Sequence, residues 1–267
     1  MGGMSSFIVQ GLNGRKKLSG DYYVSGSKNE SLPAMALAYL MEDEYRVENV
    51  PDIEDMRRML ELLEKNGFIT EQEGNAFVIK NGKKISSKID YQLGGTMRSS
   101  LMLTAGSLAR NKKVSFVFPG GCKIGERPID LTLKAYEALG AKVTRRGKVF
   151  HVEAKELRGA EIFFDKVSVT GTESAIIAAS LAKGKTTILN AAMEPEVVGI
   201  GNYLKSLGLK IEGLGTPTIH IQGRAGKLFR TKGKAFQVIP DRIEAGSMLI
   251  LGALLAKKLT IHGVPRE

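Results

Sequence analysis

Four stretches of this chain follow one plan, and that repetition constrains the fold more than any single motif. They read SGSKNESLPAMALAYLMEDEYRVENV, GGTMRSSLMLTAGSLARNKKVSFVF, SVTGTESAIIAASLAKGKTTILNA and DRIEAGSMLILGALLAKKLTIHGV. In each, a small polar cluster opens an Ala/Leu/Met-rich helix, which ends near a Leu-Ala pair and runs through a charged turn into a β-branched strand. The Leu-Ala pairs at 37–38, 108–109, 181–182 and 255–256 keep a period of about 70 residues. That spacing is longer than solenoid repeats have, so each unit reads as a small domain rather than one turn of a superhelix.

After the first three stretches comes a second, amphipathic helix that ends at a Gly: DIEDMRRMLELLEKNG, PIDLTLKAYEALG and EPEVVGIGNYLKSLG. In the first of these Ile53, Met56, Leu60 and Leu63 fall on one face, with Gly67 at the C′ position. Paired short strands follow each time, in FITEQEGNAFVIKNG, KVTRRGKVFHVEA and KIEGLGTPTIHIQG, with a turn between them as in a hairpin. The plan is therefore β-α-β-α-β-β, and the expected fold is α/β: an inside-out three-fold repeat with helices inside and sheets outside. Three complete units make one domain over residues 25–237. The fourth keeps only its first helix and strand, so residues 1–24 and 238–267 read as the two ends of an incomplete second domain, and the chain as truncated.

Composition narrows the functional classes. With 43% hydrophobic and 25% charged residues, 267 residues can bury a core. A single Cys excludes an internal disulfide and a multi-thiolate metal site, which suits a reducing compartment. His151, His220 and His262 each sit in a β-branched strand pattern and read as strand residues rather than metal ligands; neither a metal nor a cofactor is expected. The absence of an apolar N-terminal run or a long apolar segment leads to the expectation of a soluble, cytoplasmic protein with no membrane contact. Net charge is +11, which fits an anionic partner or a lysine-rich solvated surface. Nucleic acid is the weaker choice of partner, because there is no Trp and only 6% of residues are aromatic, which leaves little to stack on bases.

The repeat also locates chemistry. Its polar clusters stand at helix starts, where unpaired N–H groups attract anions. One exposed helix end contributes only about 0.3–1 kcal/mol, so a firmly held phosphate needs side-chain cations as well. The only cysteine, Cys122, lies on one such cationic stretch, FPGGCKIGERPID, directly after a Gly-Gly pair and ahead of Lys123 and Arg127.

The segments SGSKNESLP, MRSS, PGGCKIGERPIDL, DKVSV, NAAMEPEVV and VIPDRIEAG, in this order and spacing, resemble the enolpyruvyl transferases, specifically the UDP-N-acetylglucosamine 1-carboxyvinyltransferases. The shikimate-pathway branch shares the fold but has no Gly-Gly-Cys loop. The resemblance implies that phosphoenolpyruvate and UDP-N-acetylglucosamine are the substrates. The sugar 3′-hydroxyl attacks C2 of phosphoenolpyruvate, C3 is protonated, and phosphate leaves. It further implies that Cys122 is the acid of a mobile loop, or aids product release, with Lys123 and Arg127 favouring its thiolate. Lys28, Arg98 and Arg127 would hold phosphoenolpyruvate, and Asn29 the sugar hydroxyls. Pro128, Ile129, Asp130, Leu131, Lys166, Ser168 and Val169 would bind the uridine diphosphate. Arg242, with Asp241 and Glu244, would face the cleft from the second domain.

Read without the resemblance, Lys28-Asn29 is an ordinary helix-start dipeptide, and Ser168-Val169 reads equally well as a strand end. Two departures stand out. Gly199 occupies a position where the family carries Asp, and Thr170-Gly171-Thr172 replaces Gly-Ala-Thr. The resemblance also implies a further C-terminal stretch supplying the base and two arginines, from a second chain or a longer polypeptide. Two rival readings are a catalytically inactive UDP-sugar-binding relative and a basic nucleic-acid module.

Overall fold

The computed structural model describes residues 8–15, 17–120 and 128–264. They group into two units, one from 26 to 239 and the other from the described residues up to 25 together with those from 240 on. The chain enters through β1 (Leu18–Tyr23) of the second of these and then builds the larger unit without interruption.

The first repeat consists of α1 (Lys28–Ala36), a 3₁₀ turn (Leu37–Leu40), β2 (Tyr45–Glu48), α2 (Glu54–Lys65), β3 (Phe68–Glu73) and β4 (Ala76–Asn81). The second adds a one-turn helix absent from the sequence expectation, α3 (Tyr91–Gly94), then α4 (Ser100–Asn111), β5 (Lys113–Val117), α5 (Asp130–Ala138), β6 (Lys142–Arg146) and β7 (Val149–Glu153). The third comprises β8 (Glu161–Phe163), α6 (Val169–Ser180), β9 (Lys183–Leu189), α7 (Pro195–Ser206), β10 (Lys210–Glu212) and β11 (Thr218–Arg224). A short β12 (Phe236–Gln237) ends the unit.

The sheets repeat as the sequence does. Their orders are β12-β2-β4-β3, β5-β7-β6 and β10-β11-β9-β8. In the third, β8 runs parallel to β9 ahead of the hairpin strands. A parallel bridge from Lys88 to Ser115 stands in that place in the second. In the first, the place belongs to β12, parallel to β2 and drawn from the far end of the unit. The last strand thus closes the three-fold arrangement onto the first repeat.

The inner helices are buried on all sides. Residues 30–36 of α1, 100–109 of α4 and 171–180 of α6 are all inaccessible, which matches their lack of a polar face. Small residues allow this: a Cβ on Gly106 of α4 would lie 2.8 Å from the Ala36 carbonyl oxygen. Ser180 Oγ donates to the Ile176 carbonyl at 2.7 Å and Thr104 Oγ1 to the Leu101 carbonyl at 2.6 Å within their own helices, and Thr104 Oγ1 also meets Tyr136 Oη of α5 at 2.8 Å.

The outer helices α2, α5 and α7 are amphipathic and end as expected, at Gly67, Gly140 and Gly208 with φ of 94°, 90° and 95°. The apolar face of α2 is displaced from its expected position. Met56, Met59, Leu62 and Leu63 enter the core, whereas Leu60 is half-buried and Ile53 precedes the helix as its N-cap.

The smaller unit contains β1, α8 (Arg242–Leu255) and β13 (Ala256–His262), with β13 parallel to β1. It therefore begins the same strand-helix-strand plan. No helix among the described residues is long and apolar enough to cross a membrane, and no group of three or more His, Cys, Asp or Glu among them could hold a metal ion.

Candidate functional site

Among the described residues, the site residues expected in the larger unit stand at or just before helix starts. At α1, Ser27 is the N-cap and its Oγ accepts the Glu30 N–H at 3.4 Å. The Ser31 hydroxyl donates to the Ser27 carbonyl at 2.7 Å. Lys28 and Asn29 are exposed on this first turn, and the Lys28 ammonium lies 3.8 Å from the Asp55 carboxylate.

Arg98 occupies the turn ahead of α4. Its Nη2 donates to the Pro128 carbonyl at 2.8 Å, and its guanidinium carbon is 6.0 Å from the centre of the Phe118 ring. Arg98 is thereby joined to the segment that starts α5. Neither α4 nor α5 has a side-chain cap bond at its start, unlike α1 and α6. At α4 the turn before the helix takes that role, with the Ser100, Leu101 and Met102 N–H groups donating to the Met97, Arg98 and Ser99 carbonyls, so an anion at this end would be met by the Arg98 side chain.

Pro128 and Asp130 are exposed, but Ile129 is buried and Leu131 packs partly against the core. Ligand contacts from Ile129 and Leu131 therefore have to come from the backbone. Cys122, Lys123 and Arg127 lie outside the described residues. Gly120, just before them, approaches the backbone closely: a Cβ there would lie 2.0 Å from the Gly95 carbonyl oxygen.

Ser168 is a helix cap rather than the end of a strand. Its Oγ accepts the Gly171 N–H at 3.0 Å, and Val169 opens α6 with its side chain packed partly against the core. Lys166 is exposed, and the neighbouring Asp165 pairs with Lys134 of α5 at 2.8 Å. Thr170 is the second residue of α6 and is half-buried.

In the smaller unit, Arg242 is exposed as the first residue of α8. The carboxylate of Asp241 caps that helix, accepting the N–H groups of Ile243 at 2.8 Å and Glu244 at 3.1 Å. Glu244 accepts the Ser25 N–H at 3.0 Å and the Tyr22 hydroxyl. Both acids thus make hydrogen bonds within their own unit.

Behind the helix starts lies a group of buried carboxyls that the sequence reading missed. Glu30, Glu173 and Glu196 are at most 3% exposed. Burial, first, and the charge of Glu196 raise Glu30 to about 7, against a hydrogen bond from the Ile239 N–H that lowers it. Burial, then the charges of Glu196, Glu194 and Glu30, hold Glu173 well above the carboxylate range. The spacing Ser27-x-x-Glu30 is the sequence signal for a side chain turned back on a helix start. Glu173 sits in the apolar stretch TESAIIAAS, where an acid can be buried only with a proton or a partner.

A cleft of about 630 Å³ is lined by Arg224, Lys227, Arg230, Lys232 and Glu42. Two of its cations are already engaged. Arg230 pairs with Glu42, and Arg224 donates to the Lys227 and Leu228 carbonyls. This concentration of charge therefore adds little support for nucleic-acid binding.

Comparison with known proteins points the same way as the repeat. The model of the EPSP synthase (3-phosphoshikimate 1-carboxyvinyltransferase) family matches residues 12–267. The chain is 43% identical, over 96% of its length, to the UDP-N-acetylglucosamine 1-carboxyvinyltransferase of a Sulfurovum species, and 41% identical over 95% to that of a Nitratiruptor species. It spans 60% of the length of each. Among solved structures, the enolpyruvyl transferase NikO from Streptomyces tendae superposes with a TM-score of 0.80 at 23% identity, covering 93% of this chain and 58% of that one. An EPSP synthase from Acinetobacter baumannii gives 0.72 at 19%, covering 95% and 57%. These two structures share the inside-out α/β fold described above.

Proposed function

The chain belongs to the EPSP synthase family, and from that premise we propose that it serves as the larger part of an enolpyruvyl transferase acting on UDP-N-acetylglucosamine, in the first committed step of peptidoglycan synthesis. The observation that carries this reading is the 41–43% identity, over 95–96% of the chain, to proteins named for that reaction. The positions of Lys28, Asn29, Arg98, Pro128 and Ser168 at helix starts support it, because both substrates are anions.

In this reading Lys28 and Arg98, with Arg127, neutralise the phosphate and carboxylate of phosphoenolpyruvate. Two cations converging on one anion at about 4 Å would each contribute up to about 4 kcal/mol at an effective dielectric near 20. Asn29 meets the sugar hydroxyls. The N–H groups of Ile129, Asp130 and Leu131, next to Pro128, are offered to the diphosphate, with Lys166, Ser168 and Val169 beside them; Arg242 is a further substrate contact in this reading. In the addition step the 3′-oxygen bonds to C2 while Cys122 gives a proton to C3. In the elimination step C3 loses a proton and the C2–O bond to phosphate breaks.

The base that takes the hydroxyl proton is assigned to polypeptide matching the remaining 40% of the relatives' length, in a longer protein or a second chain. Without general-base help the reaction would be slower by about 10²–10⁴-fold. The test is phosphate release from phosphoenolpyruvate with and without UDP-N-acetylglucosamine, for the 267-residue chain and for Cys122→Ala, with thiol alkylation followed in parallel. Faster alkylation of Cys122 on adding UDP-N-acetylglucosamine, with little release, is the expected result. Alkylation indifferent to the nucleotide sugar would sink the substrate assignment, and sugar-dependent turnover by the chain alone would overturn the assignment of the base.

A further inference from the structure

The start of α1 has the residues of a capping box but not its usual closure. In such a box the Glu side chain returns to the N–H of the N-cap residue. Here the Ser27 N–H donates instead to the Ile239 carbonyl at 2.7 Å, and the Ile239 N–H donates to Glu30 Oε2 at 2.6 Å. Ile239 is inserted into the box through both its N–H and its carbonyl, so Glu30 fastens the last residue of the larger unit to the turn that carries Lys28 and Asn29.

The other oxygen of the same carboxyl is equally confined. Glu30 Oε1 is buried with no hydrogen-bond partner, and a Cβ added to Gly199 of α7 would lie 1.8 Å from it. From the sequence, Gly199 counts as a lost charge; in the structure the carboxyl of Glu30 takes that space. Groups facing Glu30 from its surroundings are Glu196 on α7, Glu173 on α6 and Tyr45 on β2. They are acids or a phenol, so nothing among them compensates a negative charge on Glu30.

We propose that Glu30 is a positioning residue for Lys28 and Asn29, and that gain or loss of its proton alters the first turn of α1 as an anion-binding end. This rests on the reading of Lys28 and Asn29 as substrate contacts. With the proton on, the turn is held by a neutral carboxyl. With it off, the bond from the Ile239 N–H strengthens, but a negative charge now stands two residues from Lys28 and opposes an anionic ligand.

UDP-N-acetylglucosamine is a suitable probe, because its diphosphate diester keeps one charge state from about pH 5 to about pH 8.5. Backbone amide shifts of Asn29 and Ile239 are followed over that range, and affinity is measured calorimetrically at both ends, in the 267-residue chain and in Glu30→Gln, Glu30→Ala and Lys28→Ala. The wild-type Asn29 and Ile239 amides are expected to titrate together with a midpoint near 7. Affinity is expected to fall roughly 3- to 10-fold across it. Glu30→Gln flattens both profiles at their low-pH values, and Glu30→Ala, if folded, removes the Ile239 titration.

Wild-type amides that do not titrate, or a Glu30→Gln protein that keeps the wild-type pH profile, would overturn the clasp. Lys28→Ala with unchanged affinity and an intact Ile239 titration would instead overturn the substrate reading of the helix start, and the positioning role with it.

Discussion

Helices α6 and α8 occupy the same place in the repeat and have similar sequences, VTGTESAIIAAS and RIEAGSMLILGALL, yet they end up in opposite surroundings. Every residue of α6 from 171 to 180 is buried, beneath α4, α5, α7 and β11. In α8 only Ala245 is buried, while Ile243, Leu249, Ile250 and Leu254 are 55–66% exposed and β13 is the element packed on it within its unit. An apolar helix pattern thus records a need for neighbours, and only the rest of the unit can supply them. Under the proposed function, polypeptide matching the remainder of the relatives' length covers α8.

The largest expected effect tests that contrast directly. Ile177→Ala in α6 removes a fully buried side chain and should cost about 2–5 kcal/mol, whereas Leu254→Ala in α8, 66% exposed, should change the stability of this chain by less than about 0.5 kcal/mol. Chemical denaturation of both variants measures the difference. A cost at Leu254 approaching that at Ile177 would mean that α8 is already covered in solution, by self-association or otherwise, and stability would then depend on protein concentration.

A second contrast sets the buried Glu30 in the folded chain against the same group in the unfolded one. Glu30 has its carboxyl raised from an ordinary 4.5 to about 7, so between those values the folded protein binds more protons than the unfolded chain. Its contribution is therefore most favourable at and below about pH 4.5 and worsens as pH rises to 7, by about 3 kcal/mol in total. Glu30→Gln should match the wild type at the acid end and exceed it by up to that amount above pH 7. A stability difference that does not change with pH would show that Glu30 titrates alike in the folded and unfolded chain.

Gly199 sharpens the same point at close range. Ala in place of a mid-helix Gly ordinarily gains about 1 kcal/mol. Here Gly199→Ala should instead cost about 1–3 kcal/mol, because the new methyl meets the Glu30 carboxyl. Adding Glu30→Ala should relieve much of that cost, and a double-mutant cycle would give a coupling of about 0.5–3 kcal/mol. Additive effects would mean that the carboxyl has room to move aside.

Much of the fold was legible because it is periodic. Glycine caps at 67, 140 and 208, the three hairpins and the Ala/Leu/Met-rich inner helices each follow from local spacing. What escaped depends on distant partners. The place of β12 beside β2 joins residues near 236 and 47, and the Ser27-x-x-Glu30 box is completed by Ile239. The shift of the α2 face from Leu60 toward Met59 and Leu62 reflects the neighbours of that helix, which no single-helix pattern contains. At the site, the Arg98 bond to Pro128 spans 30 residues and has no local signature, and the capping role of Ser168 was masked because a strand end and a helix start look alike in DKVSV.

The smallest expected effect returns to the two matched helices, at their caps. Ser168 on α6 and Asp241 on α8 do the same work, with one N–H accepted at 3.0 Å in the first and two at 2.8 and 3.1 Å in the second. Each Ala substitution removes a cap worth about 1 kcal/mol. The buried α6 unfolds with the core of its unit, so Ser168→Ala should lower global stability by that amount. In α8, where few side chains are buried, the same loss should emerge as faster amide exchange over the first turn, with the global midpoint scarcely moved. Ser168→Ala also separates scaffold from ligand. If its affinity for UDP-N-acetylglucosamine falls no further than its folded fraction explains, Ser168 only holds the start of α6; a larger fall would make its hydroxyl a contact to the diphosphate as well as a cap.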